Sequence, residues 1–267
     1  MLRAAGAATR RDDPYIININ ADRWRKGHIA MLEELCQNMV LTSLDHGKIL
    51  RAMDARLGAQ SGEADMQPDP YLIAALQEQI CSCEAEVLKS ASPRAVLRIL
   101  PVEEIQPVLS GHDICRLLSG CTEAVLMAVT LGSELEKRLM IEEVTNMSNA
   151  YVLDLCASQA VEQAADDLEQ RLRAQILREG KYLTNRFSPG YGDYPIQMQG
   201  LLLDYLNAGR AIGLTLTPTN LMVPRKSITA VLGISPEPKP DLYGNCTHCP
   251  LQTKCAWRAR GERCYQS

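Results

Sequence analysis

Two stretches of this 267-residue chain combine residue types and spacings that could do chemistry. The first is Arg186-Phe187-Ser188-Pro189-Gly190-Tyr191-Gly192-Asp193-Tyr194-Pro195. Pro189 and Pro195 fix φ, while Gly190 and Gly192 allow positive φ and a close approach of backbone N–H groups to a bound group. Arg186 supplies a planar fork suited to a carboxylate. On spacing alone the same residues also suit a structural turn whose arginine forms a surface ion pair. The second stretch carries Cys246, Cys249, Cys255 and Cys264, spaced C-x2-C-x5-C-x8-C. A tight first knuckle followed by two returning thiolates can converge on one centre, as an iron–sulfur cluster or zinc requires. The ligand spacing suits an iron–sulfur cubane as well as a single zinc ion. His248 lies between two better ligands.

Several elements must position these groups. Residues 146–179 read as the longest helix, with one apolar stripe through Leu153, Cys156, Ala160, Ala164, Leu168, Leu172 and Ile176, and Gly180 at its end. That helix runs through Tyr182-Leu183-Thr184-Asn185 straight into Arg186, so it fixes where the loop begins. Residues 123–131 read as a buried strand and 95–100 as another, stopped by Pro101. Short strands are expected at 214–216 and 228–232, and a helix over 196–206. Ser110 is expected to cap a short helix ending at Leu118. Asp69-Pro70 starts a helix to about Lys89 that carries Cys81 and Cys83, which point in different directions and are read as packing residues. Upstream, 21–57 reads as two helices broken near 43–47, 58–70 as a linker, and Pro236–Pro240 as a stiff connection to the cysteine-rich tail.

Composition bounds the class. Hydrophobic residues make up 46% and charged residues 22%, ordinary for a soluble globular chain. One Phe and two Trp leave the core to Leu, Ile, Val, Met and Ala, which favours helices. A net charge of −4 gives no general attraction to nucleic acid or to an anionic membrane. No signal peptide and no apolar run of spanning length is visible, so a cytoplasmic location is expected, and ten cysteines there are read as reduced thiols or metal ligands. The phosphate-loop, zincin, nucleophile-elbow and dinucleotide motifs are absent, as is the C-x3-C-x2-C of radical S-adenosylmethionine enzymes.

Beyond this, Arg186-x-x-x-Gly190-Tyr191, Leu216-Thr217, Met222-x-Pro224 and Ser227-x-Thr229, in that order over some forty residues, resemble the activation (reactivation) domain of cobalamin-dependent methionine synthase. Leu117-Leu118-Ser-Gly120-Cys121 and Thr130-Leu131-Gly132 resemble stand-alone relatives of that domain. The resemblance covers about 48–235 and implies an α+β fold, with helices around a mostly antiparallel sheet. It makes 1–47 a helical extension and 236–267 an added metal-binding tail.

In the family, the domain binds S-adenosylmethionine beside the cobalt of a corrinoid and restores methylcobalamin after accidental oxidation. Carried over, Arg186 holds the ligand carboxylate, and Ser188, Gly190, Tyr191 and Tyr194 contact the rest. The chain departs from the family at Gly192-Asp193-Tyr194-Pro195-Ile196-Gln197 and at Ala230-Val231-Leu232, and has no corrinoid signature of its own. The cobalamin must therefore be supplied by a corrinoid-binding methyltransferase partner, with a flavodoxin- or ferredoxin-type reductant. Two further readings stand beside this one. One is a non-catalytic corrinoid-docking or electron-transfer module, the other a zinc-tailed interaction protein.

Overall fold

The structure, a computed structural model, describes residues 26–37, 39–58 and 70–240. Eight α-helices occur among them, α1 (Lys26–Gln37), α2 (His46–Gly58), α3 (Pro70–Ser90), α4 (His112–Leu118), α5 (Ser133–Thr145), α6 (Met147–Arg178), α7 (Met198–Leu206) and α8 (Ala208–Ile212), with a 3-10 helix at Val102–Val108. The strands are β1 (Arg94–Pro101), β2 (Glu123–Thr130), β3 (Tyr182–Leu183), β4 (Thr215–Leu216), β5 (Met222–Val223) and β6 (Ser227–Ser235). A four-stranded antiparallel sheet runs β1-β2-β6-β3, and β4 and β5 form a separate antiparallel ribbon. The α+β class expected from the resemblance is the one found.

The side-chain alternation of a strand explains why both faces of this sheet are covered. On β2, Val125, Met127 and Val129 enter one core, and Ala124, Leu126 and Ala128 the other. Seven of the eight residues of β2 are buried, so neither face meets water. The first core is completed by the stripe of α6, by Ile80, Cys83 and Val87 of α3, and by Leu135 and Leu139 of α5. The second holds Ile114, Leu117 and Leu118 of α4, Leu202, Leu203 and Leu206 of α7, and Phe187 and Tyr194 from the loop. Leu32 and Cys36 of α1, and Met39 and Leu44 after it, are buried in the first core, although they lie within the segment read as an extension.

The helix that leads to the loop is well specified at both ends. Asn146 caps α6, its side chain accepting from the Asn149 N–H at 3.1 Å. At the other end Gly180 takes φ +73°, and the Lys181 N–H returns to the Ile176 carbonyl at 3.2 Å, which closes the last turn. Every residue of the expected stripe is buried. Removing Leu168 by substitution with Ala costs about 2–5 kcal/mol, the usual range for a core leucine.

Two expectations are corrected. Ser110 does not cap α4: Gly111 occupies the cap position with φ +113°, and the first helical N–H groups are satisfied from a distant loop. Cys83 packs as expected, but Cys81 is exposed, because a C-x-C pair on a helix cannot place both thiols on the apolar face. Burial pushes the thiols of Cys36 and Cys156 up to about 12, so both remain protonated packing groups. Of the expected linker over 58–70, Gly58 ends α2 and Pro70 begins α3, while residues 59–69 and the tail cysteines Cys246, Cys249, Cys255 and Cys264 lie outside the described residues. No helix among those described is long and apolar enough to cross a membrane.

Candidate functional site

The loop after α6 is built outward from the helix. Arg173 donates through Nη1 to the Leu183 carbonyl and through Nη2 to the Thr184 carbonyl at 3.1 Å, fixing the turn out of β3. Phe187 then makes a two-bond bridge with Val231 of β6, at 3.0 and 2.9 Å. Beyond it the chain folds back on itself: the Gly190 N–H donates to the Tyr194 carbonyl at 2.8 Å, and the Tyr191 N–H to the Ser188 carbonyl at 3.2 Å. Phe187 and Tyr194 stack with ring centroids 6.0 Å apart. This stack anchors the two ends of the loop in the second core, while Gly190 to Asp193 between them stay exposed.

The far side of the loop is clamped to α4. Asp193 accepts from the backbone N–H groups of His112 at 2.6 Å and Asp113 at 2.9 Å, supplying the cap that Ser110 does not. These two N–H groups hold the Asp193 carboxyl below the usual carboxylate range. In return the Asp193 N–H faces Asp113 Oδ2 at 3.3 Å. Gly192 sits at φ +54°, where a Cβ would fall 2.2 Å from Asp113 Oδ2, so close approach and positive φ together require glycine.

Between this loop, α6 and the start of β6 lies a cavity of about 680 Å³. Arg186, Ser188 and Tyr191 line it, and so do Met222, Ser227 and Thr229 from the other end of the motif run. Ser227 is itself held in place, its Oγ donating to the Pro224 carbonyl at 2.7 Å and lying 2.8 Å from Thr130 Oγ1. Gly190 and Tyr194 are not among the lining residues: Gly190 shapes the turn, and Tyr194 is 1% exposed behind Phe187. The Tyr194 hydroxyl is buried without a hydrogen-bond partner among the described residues, and burial raises its ionisation above the usual phenol range.

The fork of Arg186 is not open. Its Nη2 lies 2.6 Å from Asp166 Oδ1 and 3.5 Å from Glu162 Oε2, and its Nε 3.1 Å from Glu169 Oε2. All three carboxylates come from α6 at helical spacing, so they share one face under the loop. Nη1 is buried and has no acceptor among the described residues. Glu162 and Glu169 also line the cavity. Although its side chain is 55% exposed, desolvation of the Glu162 carboxyl at the cavity wall, together with the neighbouring Asp166, pushes it above its ordinary range, which Arg186 and Lys48 oppose. One end of the cavity therefore carries a cation matched by more than one carboxylate, an environment that favours a bound cationic group.

The sequence reading missed Glu162, Glu169 and Gln199, all lining residues. The acidic pair had a signal, since both lie just off the apolar stripe of α6; Gln199 sits on a short helix whose facing surface is set only by the fold. Among the described residues, no group of three His, Cys, Asp or Glu side chains is arranged to hold a metal ion.

No protein-family model and no curated protein matches the chain. Among solved structures it is similar to a crystal structure of the MetH reactivation domain bound to AdoHcy, with 16% sequence identity, a TM-score of 0.48, and coverage of 79% of this chain and 82% of that one.

Proposed function

We propose that the cavity binds S-adenosylmethionine and that the chain reductively methylates, and so reactivates, the corrinoid of a partner methyltransferase protein. The observation that carries this reading is that one cavity gathers Arg186, Ser188 and Tyr191 with Met222, Ser227 and Thr229, two runs about forty residues apart in the sequence. Its volume suits a ligand of this size. S-adenosylmethionine brings a sulfonium, an ammonium and a carboxylate. The two cations suit the end bearing Glu162 and Glu169, and Arg186, whose Nη1 has no acceptor among the described residues, suits the carboxylate.

The corrinoid is the substrate, brought by the partner. One electron takes cob(II)alamin to cob(I)alamin. The cobalt electron pair then attacks the methyl carbon, a Co–C bond forms, the C–S bond breaks, and its pair stays on sulfur as the thioether of S-adenosylhomocysteine. No proton transfer is needed, so the chain's own part is to bind, orient and shield the donor. Four thiolates at Cys246, Cys249, Cys255 and Cys264 form a donor set suited to an iron–sulfur cluster that relays the electron from a flavodoxin- or ferredoxin-type reductant, with zinc as the alternative.

The ion pairs that already engage Arg186 favour a second reading, in which the loop is purely structural and the chain is a docking or electron-transfer module. Calorimetric titration of S-adenosylmethionine and S-adenosylhomocysteine into the full chain separates the two. Saturable binding, weakened about tenfold or more by Arg186→Ala, is expected. Absence of binding to the wild type overturns the first reading. Mixed with a corrinoid protein in its cob(II)alamin form, the chain should give the methylcobalamin spectrum only when reductant and S-adenosylmethionine are both present.

A further inference from the structure

Gln199, on α7, is 3% exposed, lines the cavity, and makes no side-chain hydrogen bond with the described residues. Its carboxamide is not among the side-chain groups sealed from solvent without a partner, so it opens onto the cavity, where a ligand can meet it. A second polar group lines the same cavity. Along β6, Val231 and Gly233 turn their backbone groups to the outer edge, Val231 bonding Phe187 and Gly233 bonding Thr184. Strand alternation turns the N–H and C=O of Thr229 to that same edge, where no described strand pairs with them, and Thr229 lines the cavity.

The two ends of the cavity therefore differ in chemistry. Glu162, Glu169 and Arg186 meet at α6, which packs against the first face of the sheet. Gln199 belongs to α7, whose leucines pack against the second. The open edge of β6 lies between them. The neutral end offers a carboxamide donor–acceptor pair, a backbone donor–acceptor pair, and apolar walls from Phe187, Pro189 and Ile196.

We propose that this neutral end reads a planar nitrogen heterocycle whose exocyclic amino group is flanked by ring acceptors, with Gln199 as its discriminating contact. An amino group between two ring nitrogens can give one hydrogen to each carbonyl while the ring nitrogens accept from the two N–H donors. Adenine has that pattern, so the proposal deepens the S-adenosylmethionine reading and rests on it for the rest of the ligand. A 6-oxo purine places an acceptor where the fixed Thr229 carbonyl needs a donor.

The test is calorimetry on the full chain with S-adenosylhomocysteine, its 6-oxo analogue S-inosylhomocysteine, and adenosine, using wild type and Gln199→Leu. Wild type is expected to prefer the adenine compound over the 6-oxo compound by about tenfold or more, and Gln199→Leu to bind the adenine compound about tenfold more weakly. Gln199→Leu should unfold in urea no more easily than wild type without ligand, because the carboxamide makes no hydrogen bond with the described residues that the change would lose. If the variant does not fold, the adenine-against-oxo comparison on wild type still decides. Equal binding of both purines, or undiminished binding by the variant, overturns the role of Gln199 while leaving S-adenosylmethionine binding intact. Adenosine binding that depends on Gln199, with no binding of S-adenosylmethionine or S-adenosylhomocysteine, upholds the role of Gln199 and overturns the proposed function. Binding of none of these compounds overturns both.

Discussion

The Nε of Arg186 lies 3.1 Å from Oε2 of Glu169, whose Oε1 is 2.6 Å from Nη2 of Arg173. One carboxylate on α6 thus ties both the exit from the helix and the first residue of the ligand loop. Arg186 and Glu169 have side chains 17% and 15% exposed, so each depends on the other for the charge it has lost from water.

Replacing Glu169 with Gln should therefore destabilise the chain strongly. It leaves two guanidinium groups with one fewer carboxylate, and breaking a largely buried pair costs about 3 kcal/mol. Glu162→Gln is the control, because that side chain is 55% exposed and sits 3.5 Å from Arg186, so its loss should stay within about 1 kcal/mol. Urea unfolding of both variants checks the contrast, and equal losses would contradict this account of the clamp.

The cap supplied by Asp193 gives a pH dependence with a definite sign. Its carboxyl is held below the ordinary range by the N–H groups of Asp113 and His112, so its contribution is present above the unfolded-state pKa and is lost as pH falls through the folded one. Wild type should then be more stable than Asp193→Asn at pH 7, and the gap should close below about pH 4. Thermal unfolding followed by circular dichroism between pH 2 and pH 7 on the order of one-unit steps reads this directly. A gap that stays constant across that range removes Asp193 as the cap.

Tyr194 separates packing from binding. Its ring stacks on Phe187, but its hydroxyl is buried without a partner among the described residues. Tyr194→Phe keeps the ring and removes the unpaired group, so it should raise stability by about 1 kcal/mol. Because the side chain does not line the cavity, affinity for S-adenosylmethionine should not change. A loss of affinity in calorimetry would return Tyr194 to the set of ligand contacts.

Much of the fold was legible because periodicity carries it. The α6 stripe from Leu153 to Ile176 and the continuous apolar run of β2 are local patterns with one reading each. The site was legible in part: the spacing of Gly, Pro and Arg marked the loop, and Ser188 and Tyr191 do line the cavity. What the sequence could not display was pairing at long range. Asp193 caps a helix some eighty residues upstream, and Arg186 meets Asp166 on a helix already read only for its apolar side. A guanidinium and a carboxylate carry no sequence label for their partner; packing of the helix against the sheet decides it. The two-residue strand β3 was illegible for a similar reason, since only its neighbour β6 makes it a strand.

The last prediction concerns the tail and the distance its electron must cover. Thr229, in the cavity wall, is six residues from the end of β6 at Ser235, a span of about 20 Å at strand rise. Past β6, Lys239 donates to the Ser119 carbonyl at 2.6 Å, and the residues from Pro240 to Cys246 reach at most about 20 Å when extended. That run is about as long as the span along β6 itself. Protein purified without oxygen should be brown and contain iron and sulfide, and Cys249→Ser should lose both. The same variant should still bind S-adenosylmethionine, since the proposed contacts Arg186, Ser188, Tyr191, Ser227 and Thr229 all lie outside the tail. It should no longer support methylation of a partner's cob(II)alamin with a protein reductant. A colourless protein holding one zinc ion would keep the four-cysteine site and remove the electron relay, whereas a tail with no metal would remove both.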